Sequence, residues 1–166
     1  MGTHEFTRRA ALFGLGAFAA AGLSGCNTTP TAGVQPGAAA GLRIGAVNVD
    51  AAPLVAYVGN PTAQWAQQAM PGAIAQAFGA RVAPGDPGAQ ALDVRLDTLY
   101  LGGGGPADPD RIKGVATLGG HTISVRAIST YFSSPTDQAL PEQAIQGRVQ
   151  ALAVAFAYRL KRKLGA

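Results

Sequence analysis

Few side chains here are equipped for chemistry: one thiol, Cys26, two imidazoles, His4 and His121, nine carboxylates and a scatter of hydroxyls. Cys26 has the most informative surroundings. It directly follows Leu23-Ser24-Gly25, which closes an apolar run over residues 10–23 that begins just behind Arg8 and Arg9. A positive start, an apolar middle of about 7–15 residues and small residues at the end compose a secretory signal. The run is too short to cross a hydrocarbon core of ~30 Å, which takes about 20 residues, so it is expected to direct export and then be removed. With no second cysteine in the chain, Cys26 has no intramolecular disulfide partner.

Leu23-Ser24-Gly25-Cys26 resembles the lipobox of bacterial lipoproteins. The resemblance implies that diacylglycerol is attached to the Cys26 thiol, that the chain is cleaved before it, and that the new amino group is usually acylated as well. Each buried acyl CH₂ contributes ~0.8 kcal/mol, so several chains hold a protein that one would not. Residues 1–25 are then a signal peptide, residues 26–41 a lipidated tether and residues 42–166 a single periplasmic domain. The tether assignment also rests on composition, since residues 27–41 are rich in Thr, Pro, Gly and Ala without hydrophobic periodicity. Thr7-Arg8-Arg9-Ala10-Ala11-Leu12 resembles a twin-arginine signal but lacks its usual phenylalanine after the pair, so both export routes stand. Myristoylation is rejected because Phe6 occupies the place that needs Ser or Thr. In enteric lipoproteins mainly Asp after the cysteine retains the protein on the inner membrane. Asn27 therefore implies the periplasmic face of the outer membrane, with the inner membrane as the alternative.

Other chemistries find little to work with. His4 leaves with the signal, so no zinc site of several imidazoles can form around His121. Gly102 to Gly105 follow a strand but lead to no Gly-Lys-Ser/Thr and no helix start, which argues against a nucleotide cradle. Asp108 and Asp110 lack the later oxygen ligands of a calcium loop, and a flexible hairpin loop is expected there. Thirteen basic against nine acidic residues is too mild an excess for a nucleic-acid binder. No cofactor is expected. A serine hydrolase would have to pair His121 with Ser124, Ser129, Ser133 or Ser134, and no Gly-x-Ser-x-Gly elbow supports it.

The elements that position these residues follow from periodicity. Residues 42–49 read as a strand that could run past Pro53 into residues 54–58 as an edge segment or bend. Asn60-Pro61 signals a helix start, with Trp65, Ala69, Ile74, Ala77 and Phe78 near one face, a kink or restart at Pro71, and Gly79 as the stop. Trp65 is read as core packing or, alternatively, as an anchor facing a partner. Residues 92–97 alternate apolar and charged, the mark of a strand with one wet face; Leu99 and Leu101 fall out of phase, so a bulge or a covered outer face is expected near Thr98. Residues 112–118 and 122–132 form two strands through a tight turn at Gly119-Gly120-His121. From Pro141, Ile145, Val149, Leu152, Phe156, Leu160 and Leu164 mark an amphipathic helix. Arg159, Lys161, Arg162 and Lys163 crowd its last turns, where they complement the helix dipole or contact anionic lipid or a partner.

The expected fold is α+β: a two-layer sandwich in which two helices pack on one face of an antiparallel-rich sheet of about four strands, in the order β-α-β-β-β-α. In element order and size, behind a lipobox and tether, this is similar to small envelope lipoproteins that assist lipid traffic. Those include the lipopolysaccharide-assembly lipoprotein and the auxiliary lipoproteins of ABC-type lipid transporters. The similarity implies a non-enzymatic, lipid-anchored accessory that binds an envelope protein or a lipid. A structural subunit of a secretion or pilus machine, recruiting strands at its sheet edges, is the alternative binding role; the serine hydrolase is the enzymatic one.

Overall fold

Alternation along Leu92-Asp93-Val94-Arg95-Leu96 becomes burial in three dimensions: the three apolar residues are buried and the two charged ones exposed. The computed structural model describes residues 41–103, 105–132, 137 and 139–166. Its elements are β1 (Ile44–Asp50), α1 (Val55–Phe78), β2 (Gln90–Tyr100), β3 (Asp110–Leu118), β4 (His121–Ser129) and α2 (Pro141–Leu164). The four strands make one sheet in the order β1-β2-β3-β4. β1 and β2 run parallel because α1 carries the chain back to the starting end, and the other two pairs are antiparallel. This is the expected α+β plan.

The out-of-phase leucine in β2 marks a bulge. Leu96 pairs with Gly114 but Thr98 with Lys113, so Asp97 is the extra residue and Leu99 returns to the buried face. Gly114 is required opposite the bulge, since a Cβ there would collide with the Arg95 carbonyl. Gly119 and Gly120 both take positive φ, 57° and 79°, as a two-residue hairpin between paired Leu118 and His121 demands.

Local chemistry also accounts for the departures from expectation. Residues 54–58 do not continue β1. The Asp50 carboxylate accepts the Ala52 N–H at 3.0 Å, and Ala52–Leu54 turns as a 3₁₀ segment into α1. Gly59, with φ 76° and ψ 168°, interrupts that helix, so its continuous part resumes at Asn60-Pro61 as predicted. No restart occurs at Pro71. The ring lies on the exposed side of the helix, where the carbonyl left without a partner can face water, and backbone dihedrals stay helical through it. Gly79 ends the helix at φ 57°. β4 stops at Ser129 rather than residue 132.

Both helices pack against one side of the sheet. The core joins Leu92, Val94, Leu96, Ile112, Ala116 and Val125 from the strands to Ala66, Met70, Ile74 and Phe78 of α1 and Leu152, Phe156 and Leu160 of α2. The opposite face, with Asn48, Asp93, Arg95, Lys113, Ser124 and Arg126, is exposed. The two helices run in the same direction: Arg148, early in α2, meets Asp110, whereas Lys161, late in it, donates to the Ala77 carbonyl near the end of α1 at 2.8 Å. The start of β1, the β3–β4 hairpin and the last turns of both helices therefore share one end of the domain.

Candidate functional site

Four cations at the end of α2 do not act as one patch. The Lys161 ammonium donates to the Ala77 carbonyl and closes the junction between the helices. Lys163 reaches across to donate to the Ser124 carbonyl at 2.7 Å. The two arginines instead join a residue from another element: Arg126, Ala127, Ile128, Ala155, Tyr158, Arg159 and Arg162 line a groove of about 460 Å³ between β4 and α2.

β4 lies at the edge of the sheet. Counting from the closing Leu118–His121 pair, alternation of the antiparallel ladder turns the N–H and C=O groups of Thr122, Ser124, Arg126 and Ile128 away from β3. Lys163 covers Ser124, which leaves Arg126 and Ile128 open along the groove. Their side chains stand on the outer face and are exposed, Ile128 to 59%. From α2, Tyr158 is 45% exposed and Arg159 and Arg162 are exposed beside it. Among the described residues no carboxylate lines the groove, and Arg126, Arg159 and Arg162 make no ion pair. Guanidinium groups are obligate donors with a planar fork suited to carboxylate or phosphate. A groove lined by three arginines together with the apolar Ala127, Ala155, Ile128 and the ring of Tyr158 suits an anionic amphiphile.

The opposite edge of the sheet is partly covered. Gln67 of α1 donates to the Val49 carbonyl at 3.1 Å, and Val82 bridges alongside Ile44. These caps and Lys163 occupy backbone groups that an incoming strand would need.

A second charged cluster closes the far end of the domain. Asp110, only 1% exposed, takes Arg148 Nε at 3.0 Å on one carboxylate oxygen, and Arg148 Nη2 together with the Gly102 N–H on the other. Arg148 also donates to the Gly102 carbonyl and lies 5.2 Å from the centre of the Tyr131 ring. Beside it, Asp108 accepts the Gly103 N–H at 2.7 Å and the Tyr100 hydroxyl at 3.1 Å; the backbone bond above all holds its pKa below the usual value. The connection expected to be a flexible loop is thus tied to α2 at Gly102, and Gly105 donates to the Tyr131 carbonyl at 2.8 Å. Asp110 belongs to β3 and to the interior, and every oxygen it offers is used internally.

Of the other expected residues, Trp65 is partly buried and packs against the core. His121 is exposed at the hairpin. Ser124 projects to the opposite face of the strand, and Ser129 lies about 26 Å along it at 3.3 Å per residue. Cys26, Arg8, Arg9, Ser133 and Ser134 lie outside the described residues. Among the described residues no group of three metal-ligating side chains converges, and no helix is long and apolar enough to cross a membrane.

Sequence reasoning missed Arg126, Ile128 and Tyr158. One signal was present: Ile128 follows Ser124 and Arg126 on the polar phase of β4, an apolar residue where alternation calls for a polar one. It also missed Arg148, whose place three residues after Ile145 and four before Leu152 puts it within the apolar stripe of α2. No protein-family model, curated protein or solved structure matches this chain.

Proposed function

We propose that this protein is a non-enzymatic accessory of the bacterial envelope, anchored through lipid on Cys26 to the periplasmic face of the outer membrane, where it binds a lipid or an envelope protein. The single observation carrying this reading is Leu23-Ser24-Gly25-Cys26 at the end of an apolar run behind Arg8 and Arg9. The fold adds a geometric support: the chain enters β1 at the end of the domain where α2 finishes, so residue 41, where the proposed tether ends, and the last turns of α2 lie at the same end. A role in lipid or lipopolysaccharide transport or assembly fits such a placement. Recruitment of a strand by a secretion or pilus machine is less well supported, because Gln67, Val82 and Lys163 occupy parts of both edges. The separation of His121 from Ser129, and the opposed directions of His121 and Ser124 along β4, likewise lend a serine hydrolase no support.

Mass spectrometry of the protein from its host tests the anchor directly. The expected product begins at Cys26 and carries acyl groups, and Cys26→Ser moves the protein from the membrane to the soluble or precursor fraction. An unmodified thiol with residues 1–25 still attached overturns the reading.

A further inference from the structure

We infer that the groove between β4 and α2 is a binding site for the phosphate headgroup of an anionic lipid, held by Arg126, Arg159 and Arg162. The inference rests on the envelope reading for the presence of such a surface, but the site itself is argued from its chemistry.

Three arginines from two elements line one groove, with no carboxylate beside them among the described residues. Neighbouring cations repel, so lining one groove with three of them favours an external anion there. A phosphate fits better than a lone carboxylate because its oxygens can accept from more than one guanidinium and from the outward N–H groups of Arg126 and Ile128. The volume, about 460 Å³, falls in the range of small-ligand sites. Ile128 and Tyr158, both exposed, put apolar surface beside the cations, where the glycerol and the first acyl carbons of a lipid would lie. Tyr has the amphipathic build found at membrane–water boundaries.

Position favours a lipid over an acidic peptide strand. Lys163 already occupies the Ser124 carbonyl, so among the described residues the uninterrupted run of open backbone beside the groove is that of Arg126 and Ile128. That is too short for strand addition to hold register. On its helix side the groove runs from Ala155 to Arg162, toward the end of α2 that lies with the start of β1.

The test uses the full chain with Cys26→Ser, so that no acyl group contributes, and vesicles of phosphatidylcholine alone or with part of it replaced by phosphatidylglycerol. The parent chain should prefer the phosphatidylglycerol vesicles, less so as salt rises. At about fivefold per charge near an anionic surface, Arg126→Gln/Arg159→Gln/Arg162→Gln should lose roughly a hundredfold in affinity. The charge-matched Arg43→Gln/Arg81→Gln/Arg95→Gln should lose only a few-fold. Arg159→Gln/Arg162→Gln alone, two exposed helix positions, keeps the test available if the β4 change disturbs folding. Equal losses in the two triple variants, or a parent without preference, overturn the site. Competition by soluble glycerol phosphate as effective as by the lipid overturns the lipid assignment in favour of a free phosphate ester. None of these outcomes depends on acylation in the host, which the mass of the mature protein reports separately.

Discussion

Arg148 of α2 grips Asp110, the first residue of β3, across both carboxylate oxygens, and the same guanidinium donates to the Gly102 carbonyl just beyond β2. One side chain thereby links the helix layer to both strands that flank the glycine-rich connection. Asp110 is almost wholly buried, whereas the Arg148 side chain keeps 17% exposure. Together with the Tyr131 ring over which Arg148 lies, this cluster closes the end of the domain opposite the β3–β4 hairpin.

Removing one partner should therefore be costly. Arg148→Met leaves the Asp110 carboxylate buried with only a backbone N–H, and about 3–5 kcal/mol of stability is expected to be lost. Arg148→Lys keeps the charge but not the two-pronged geometry and should recover only part of it. Urea unfolding of the three proteins checks this order; equal stability of Arg148→Met and the parent would contradict it.

Lys163 guards the sheet edge. Lys163→Met preserves most of the stem but uncovers the Ser124 carbonyl, lengthening the run of open backbone groups on β4. Because the freed carbonyl can meet water, the change should alter stability by no more than about 1 kcal/mol. It should instead raise concentration-dependent self-association, read by sedimentation velocity. A variant that remains as monodisperse as the parent at every concentration shows that the edge is protected otherwise.

Two groups in the Arg148 cluster set opposite pH limits. The Gly103 N–H above all holds the Asp108 carboxyl below its usual pKa; an upward pull from burial comes next, opposed further by the Tyr100 hydroxyl and Arg111. A depressed folded-state pKa means that its contribution is present above roughly pH 4 and fades as pH falls through the lower folded value. A hydrogen bond to Asp137, reinforced by burial and that carboxylate's charge, raises the Tyr131 phenol. Its contribution is present below about pH 10 and fades as pH rises through the higher folded value. Denaturation midpoints measured against pH should lose their acid-side slope in Asp108→Asn and their alkaline-side slope in Tyr131→Phe. Unchanged slopes in either variant would show that the corresponding hydrogen bonds do not distinguish the folded from the unfolded state.

Much of this architecture was written in short-range pattern. Alternation in β2 and β4 and the three-and-four spacing in α2 encode which faces are buried, because side-chain direction follows directly from strand and helix geometry. Even the β2 bulge was visible, since a buried Leu99 can follow a buried Leu96 only if one residue is added to the ladder. The proposed signal segment and the proposed lipidation of Cys26 rest on equally local grounds, an arrangement of adjacent residue types. What had to wait for the tertiary structure were the partnerships between residues far apart: Arg148 with Asp110, 38 positions away, Lys161 with Ala77, 84 away, and Arg159 and Arg162 with Arg126. A run of cations looks uniform along the chain. Whether each one caps a helix, covers a strand edge or faces an open groove depends on which backbone or side chain the fold brings against it, and that is a property of packing between elements, which no local period contains.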